Sequence, residues 1–163
     1  ATLDAHVARM GREARLLGQT PLPNGLENGV FFAPRAYAID SIARLPEEVF
    51  GPILHVVRYA GDRLDAVVEA INMTGYGLTL GLHSRIEATV ERVRERARVG
   101  NLYVNRAQIG AVVGVQPFGG EGLSGTGPKA GGPHYLARFA VERVTATDTT
   151  AAGGNASLLA LEE

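Results

Sequence analysis

The chain has 163 residues, 45% hydrophobic and 20% charged, with 16 basic against 17 acidic side chains and a net charge of -1. That balance supports one packed domain, argues against disorder, and leaves no electrostatic footprint for nucleic acid or an anionic membrane surface. No run reaches the ~18 apolar residues of a membrane span, and the absence of cysteine removes disulfides, thiolate metal sites and thiol nucleophiles together.

Along the chain, Leu3, Val7, Met10 and Ala14 stand at helical spacing, predicting a helix over 2–17 that Gly18 stops. Pro21 to Gly25 is turn chemistry. Residues 29–34 and 36–39 read as strand, with Pro34 marking an edge or bulge. A turn at Pro46–Pro52 leads into the β-branched strand 53–59. Leu64, Val67, Val68 and Ile71 form one helical face, broken by Gly75 and Gly77, and Leu78, Leu80 and Leu82 alternate as a strand. Ser84-Arg85-Ile86-Glu87 has the pattern of a capping box. The helix it opens carries Ile86, Val90, Val93 and Ala97 inward, and its five arginines and three glutamates read as a solvated face. Gly100 ends it, and 101–105 is the next strand. Strand, helix, strand, helix, strand over 53–105 predicts an α/β fold with an open, mostly parallel sheet and covering helices.

Beyond Asn105 the regular pattern gives way to a glycine-rich segment, 106–133, too apolar at Val112–Phe118 to be a linker. More than half of the 21 glycines lie between Gly100 and Gly154. Gly120-Glu121-Gly122-Leu123-Ser124-Gly125 satisfies G-x-G-x-x-G, but Pro117 precedes it and Pro128 follows. A phosphate fingerprint needs a strand before and a helix after, so close backbone packing explains these glycines better. The Walker pattern fails as well, because Pro128 follows Gly127 where lysine is required. A short helix is predicted at 135–140, a strand at 141–150 and a turn at 149–154. The histidines His6, His55, His83 and His134 are scattered, without metal-ligand spacing. The triplets Asn72-Met73-Thr74 and Asn155-Ala156-Ser157 read as chance.

Two segments in order carry a resemblance. Glu47-Glu48-Val49-Phe50-Gly51-Pro52 and, further on, Pro117-Phe118-Gly119-Gly120 with Ser124-Gly125 resemble the aldehyde dehydrogenase superfamily. Residues 109–133 and the tail 149–157 are similar to the glutamate-semialdehyde (pyrroline-5-carboxylate) dehydrogenase module of bacterial bifunctional proline-utilisation proteins. The resemblance implies that Glu48 holds the nicotinamide ribose hydroxyls of NAD and that Phe50 packs near the nicotinamide. It implies further that Gly110 and Ala111 anchor the substrate's α-carboxylate through backbone N–H groups, with Phe118 against its aliphatic stem. In that family a cysteine thiolate attacks the aldehyde, hydride leaves to NAD and water releases the acid.

The thiolate, the glutamate base and the Rossmann-type domain all lie upstream of the segment matching this chain. The expectation is therefore a fragment, with no catalytic residue of its own and inactive alone. Residues 1–140 would be the C-terminal part of the catalytic domain, and 141–163 an oligomerisation strand and tail. An excised parallel sheet leaves an open edge and uncovered apolar faces, so a homo-oligomer is expected; the resemblance further implies a cytoplasmic protein, with a parent that can be peripheral at the inner membrane. Glutamate γ-semialdehyde is the implied substrate, and FAD is confined to a separate proline dehydrogenase domain. The alternative is a non-catalytic binding or assembly module of the same superfamily.

Overall fold

A computed structural model describes residues 2–26 and 28–148 of the chain. Helix α1, Thr2–Glu13, buries His6 and Met10, four residues apart on one face. Asp4 in its first turn and Arg12 in its last complement the helix dipole. The helix ends earlier than its apolar spacing predicts. Ala14 N closes the last bond on Met10 O at 2.8 Å, and Arg15–Gln19 become strand β1. Pairing with β2 (Arg35–Ile39) satisfies their backbone groups there, and this tertiary pairing overrides the local period. Gly18 thus lies beside a bulge in that ladder and does not serve as a helix stop.

β2 is the central strand, antiparallel to β1 and parallel to β3 (Ile53–Val57). Tyr37 and Ile39 of β2 meet Met10 in a core that Ala14, Leu45 and Ile53 complete. The strand expected at 29–34 does not form. Its one ladder-like contact is Thr20 N donating to Pro34 O at 2.9 Å, and Pro34 has no N–H to return.

The second half carries α2 (Leu64–Asn72), β4 (Tyr76–Gly77), β5 (Thr79–Leu82), α3 (Glu87–Arg96) and β6 (Asn101–Val104). β5 and β6 pair in parallel, and the helices bury Val68 and Val93. Part of the charge on α3 faces its neighbour. Arg92 and Arg96 reach Asp65 of α2 at 2.6 and 2.9 Å and hold its carboxyl below the ordinary carboxylate range, with the Arg92 hydrogen bond as the main cause. The Asn72 side chain fastens the same helix ends, donating to Arg96 O at 2.8 Å and accepting from Arg98 N at 2.9 Å. The capping box is not made. Asn105 clamps Ser84 through its N–H and its carbonyl, so Ser84 Oγ accepts from Ile86 N and α3 starts at Glu87 without a side-chain cap.

The fold is α/β, as expected, but its ladders are divided. β3 pairs with β2 and not with β5, leaving a cleft between the two sheets. Alternation of strands and helices fixes crossover handedness but does not oblige consecutive strands to be neighbours. Further on, β7 (Glu121–Gly122) pairs with β4, and Phe118 bridges Ala130. The helix expected at 135–140 is one 3-10 turn, Leu136–Phe139, too short to propagate α-helical bonds. Residues 141–148 form no strand, because a strand needs a ladder partner and none of the described strands supplies one. The turn at 149–154 and the tail 149–157 lie outside the described residues. Among those described, no helix is long and apolar enough to cross a membrane.

Candidate functional site

The glycine-rich segment builds a cavity of about 400 Å³ lined by Gly110, Ala111, Gln116, Phe118 and Ala130 among others. All three residues expected to hold the substrate therefore face one space. Among the described residues, neither the Gly110 nor the Ala111 N–H donates a hydrogen bond. A Cβ placed on Gly110 would meet nothing within 4 Å, so the backbone there opens onto free space. Two consecutive peptide donors without partners suit an anionic group. Phe118, 37% exposed, supplies an apolar wall.

What holds this wall was not singled out by motif. Asn101, 7% exposed at the start of β6, donates through Nδ2 to Pro117 O (3.1 Å) and Tyr103 Oη (3.3 Å). Its Oδ1 accepts from Gly119 N at 3.3 Å. The segment on either side of Phe118 thus hangs on one amide. The Lys129 ammonium donates to Gly100 O and ties the far side of the loop to the same strand end. The signals available in sequence were a polar residue opening an apolar strand and a lone lysine in a glycine run.

The motif Gly120–Gly125 serves packing, as its flanks suggest. Gly122 takes φ +61° and stands so close to Gly75 O that a Cβ would lie at 2.4 Å. Leu123 N donates to Gly75 O, and Ser124 Oγ accepts from Gly77 N. Among the described residues, no helix opens directly after it for a phosphate to meet.

The cleft between the sheets, about 530 Å³, is lined by Glu48, His55, Tyr76, Thr79 and Ser124 among others. Glu48 makes no hydrogen bond or ion pair among the described residues. An uncommitted carboxylate on such a wall fits a ligand presenting paired hydroxyls. Phe50 is 90% exposed and lines neither this cleft nor the glycine-loop cavity, so the structure does not bring it together with Glu48.

Two histidines that are far apart in sequence meet behind the cleft. His6 Nε2 lies 2.9 Å from His55 Nε2, and Arg9 Nη2 lies 3.3 Å from His6 Nδ1. A guanidinium only donates, so His6 Nδ1 accepts and Nε2 carries the proton toward an unprotonated His55 Nε2. Both rings are neutral in this arrangement. Burial lowers both pKa values, aided by Arg9 at His6 and by His6 and Arg9 at His55, while Glu13 opposes weakly at His6. Folded values below 6.5 mean that the unfolded chain takes the protons first. Stability conferred by the pair is complete above about pH 6.5 and is lost as pH falls through that value toward the folded pKa. Thermal melts from pH 7.5 to 5.5 should show a falling Tm, with a shallower slope in His55→Phe. A flat wild-type profile would contradict the assignment of a neutral histidine pair.

Residues 4–144 match the aldehyde dehydrogenase family. The chain is 52% identical over 148 residues to bifunctional protein PutA of Escherichia coli (strain K12), covering 88% of this chain and 11% of that protein. A solved structure of a Bradyrhizobium japonicum proline utilization A (PutA) mutant is similar with a TM-score of 0.81 and 62% identity, over 86% of this chain and 14% of that one. The 1-pyrroline-5-carboxylate dehydrogenase from Thermus with bound NAD gives a TM-score of 0.75 and 39% identity, over 85% and 26%. The chain thus spans about a tenth of its PutA relative (11%). The family match takes in both cavities and nearly every element described above, and the chain belongs to the aldehyde dehydrogenase family.

Proposed function

We propose that this chain is a segment of an NAD-dependent L-glutamate γ-semialdehyde (pyrroline-5-carboxylate) dehydrogenase, which oxidises the aldehyde to glutamate in proline catabolism. The parent also carries a proline dehydrogenase domain, and any FAD belongs there. The observation that carries the reading is the cavity joining Gly110, Ala111 and Phe118, with two N–H groups that have no partner among the described residues beside an apolar wall. A semialdehyde with an α-carboxylate matches both features: the anion meets the peptide donors and the methylenes meet the ring. NAD, when bound, supplies the hydride acceptor. Glu48 then accepts hydrogen bonds from the ribose hydroxyls at the cleft wall. The 163 residues contain no thiol, and the nucleophile comes from elsewhere in the parent. Residues 141–163 add an oligomerisation strand to a partner copy.

The test uses the full-length enzyme. With glutamate semialdehyde and NAD it should form NADH, and the isolated 163-residue chain should form none. Ala111→Pro deletes one anchoring N–H and should raise KM for the semialdehyde by roughly tenfold, the worth of a hydrogen bond to a charged group. Glu48→Gln should raise KM for NAD by about the same factor. NADH production by the isolated chain would overturn the reading.

A further inference from the structure

The anchor needs more than two free N–H groups; they must point at the ligand. Arg106 reaches back over the loop and donates from Nη2 to Gly110 O at 3.0 Å and from Nε to Ala107 O at 3.0 Å. Its guanidinium lies 4.3 Å from the centroid of the Tyr103 ring, and Tyr103 is itself buried in β6. Arg106 is therefore fixed from below by an aromatic face and from the side by two carbonyls. It does not line the cavity.

A peptide unit is planar, and in the trans form its C=O and N–H point in opposite directions. The Gly110–Ala111 bond is trans, since the cis bond found in the described chain is Gly127–Pro128. Holding the Gly110 carbonyl on Arg106 thus turns the Ala111 N–H away from the guanidinium. The next turn is fixed as well: Val112 N donates to Gln116 Oε1 at 2.9 Å, and Gln116 N donates to Val112 O at 2.8 Å. The peptide between these two clamps has little freedom to rotate. A cation on the carbonyl also polarises the unit and strengthens its N–H as a donor.

We infer that Arg106 is a positioning residue for carboxylate recognition: it orients the Gly110–Ala111 peptide so that its N–H faces the substrate cavity. The inference rests on the proposed anchoring of an α-carboxylate at this loop. Specificity for a carboxylated aldehyde then depends on a side chain that never touches the substrate.

The test compares two aldehydes in the full-length enzyme, glutamate semialdehyde and propanal, which has no carboxylate. Arg106→Met keeps the stem and removes the fork. The ratio of kcat/KM for semialdehyde over propanal should fall by roughly tenfold, mainly through KM for the semialdehyde. Tyr103→Leu, which removes the supporting ring, should lower the ratio several-fold in the same direction. If Arg106→Met does not yield soluble enzyme, Arg106→Lys replaces it, with an intermediate fall in the same ratio expected. Equal losses on both aldehydes, or an unchanged ratio, would overturn the assignment. The two readings separate cleanly. A wild-type enzyme without preference for the semialdehyde defeats the anchor itself. A preference that Ala111→Pro abolishes and Arg106→Met leaves intact defeats Arg106 alone.

Discussion

Replacing Gly100 with alanine is expected to destabilise the protein by about 3 kcal/mol, at the upper end for overpacking, and to lower Tm by roughly 6–12 °C on the scaling for a chain of this size. A Cβ at Gly100 would lie 1.9 Å from Gly119 O, 2.8 Å from Gly119 C and 2.8 Å from Gly120 Cα. The obstruction is backbone on backbone, so no rotamer relieves it. Both segments are also pinned. Gly100 N donates to Gly77 O at 2.9 Å, Gly100 O receives Lys129, and Gly119 N donates to Asn101. Whichever segment yields breaks one of these bonds, and movement of the Gly119 segment displaces Phe118 next to it. Gly61→Ala is the control, because a Cβ there meets nothing within 4 Å, and its effect should stay within about 0.5 kcal/mol. Thermal unfolding of the two variants side by side checks the claim, and equal Tm values would refute it.

Asn101→Asp is expected to cost a similar amount, about 3 kcal/mol at pH 7, although it changes a single NH2 into an oxygen. The Nδ2 position now donates to Pro117 O at 3.1 Å. In the variant two acceptors would confront each other there, one of them a largely buried carboxylate. Burial and the facing carbonyl both favour the protonated form, so the folded pKa rises above the unfolded value of about 3.9. A group raised in this way is least harmful below its unfolded pKa; the deficit opens as pH climbs above that value and is complete once pH has passed the folded one. Urea unfolding of wild type and variant should therefore give a stability gap that is small near pH 4 and full at pH 7. A pH-independent gap would mean that lost packing, and not the reversed hydrogen bond, is responsible. On the proposed function, the same variant of the full-length enzyme should weaken semialdehyde binding, since Pro117 and Gly119 flank Phe118.

The two variants act on residues that sequence reading treats unequally. Gly100 reads in sequence as a helix stop, but α3 already ends at Arg96, and the severity of the substitution comes from Gly119 O, a contact across the fold that no local rule encodes. Asn101 reads as the first residue of a strand, and only the arrival of segment 117–119 makes it a strut. The histidines show the same limit. His6 and His55 lie 49 positions apart, and nothing in their neighbourhoods announces a shared proton.

The grouping of Gly110, Ala111 and Phe118 as one candidate site came from the family resemblance, whereas periodicity and turn chemistry placed α1, α2, α3 and the strands β2, β3, β5 and β6 close to their observed positions. Those elements depend on side-chain spacing and turn chemistry, which are local properties of the chain. Tertiary structure alone decided that residues 15–19 pair with β2 as a strand, that Ser84 serves Asn105 in place of a helix cap, and that β3 and β5 stand apart across a cleft. In each case the backbone hydrogen-bonding groups had more than one way to be satisfied locally, and a partner distant in sequence supplied the one that was taken.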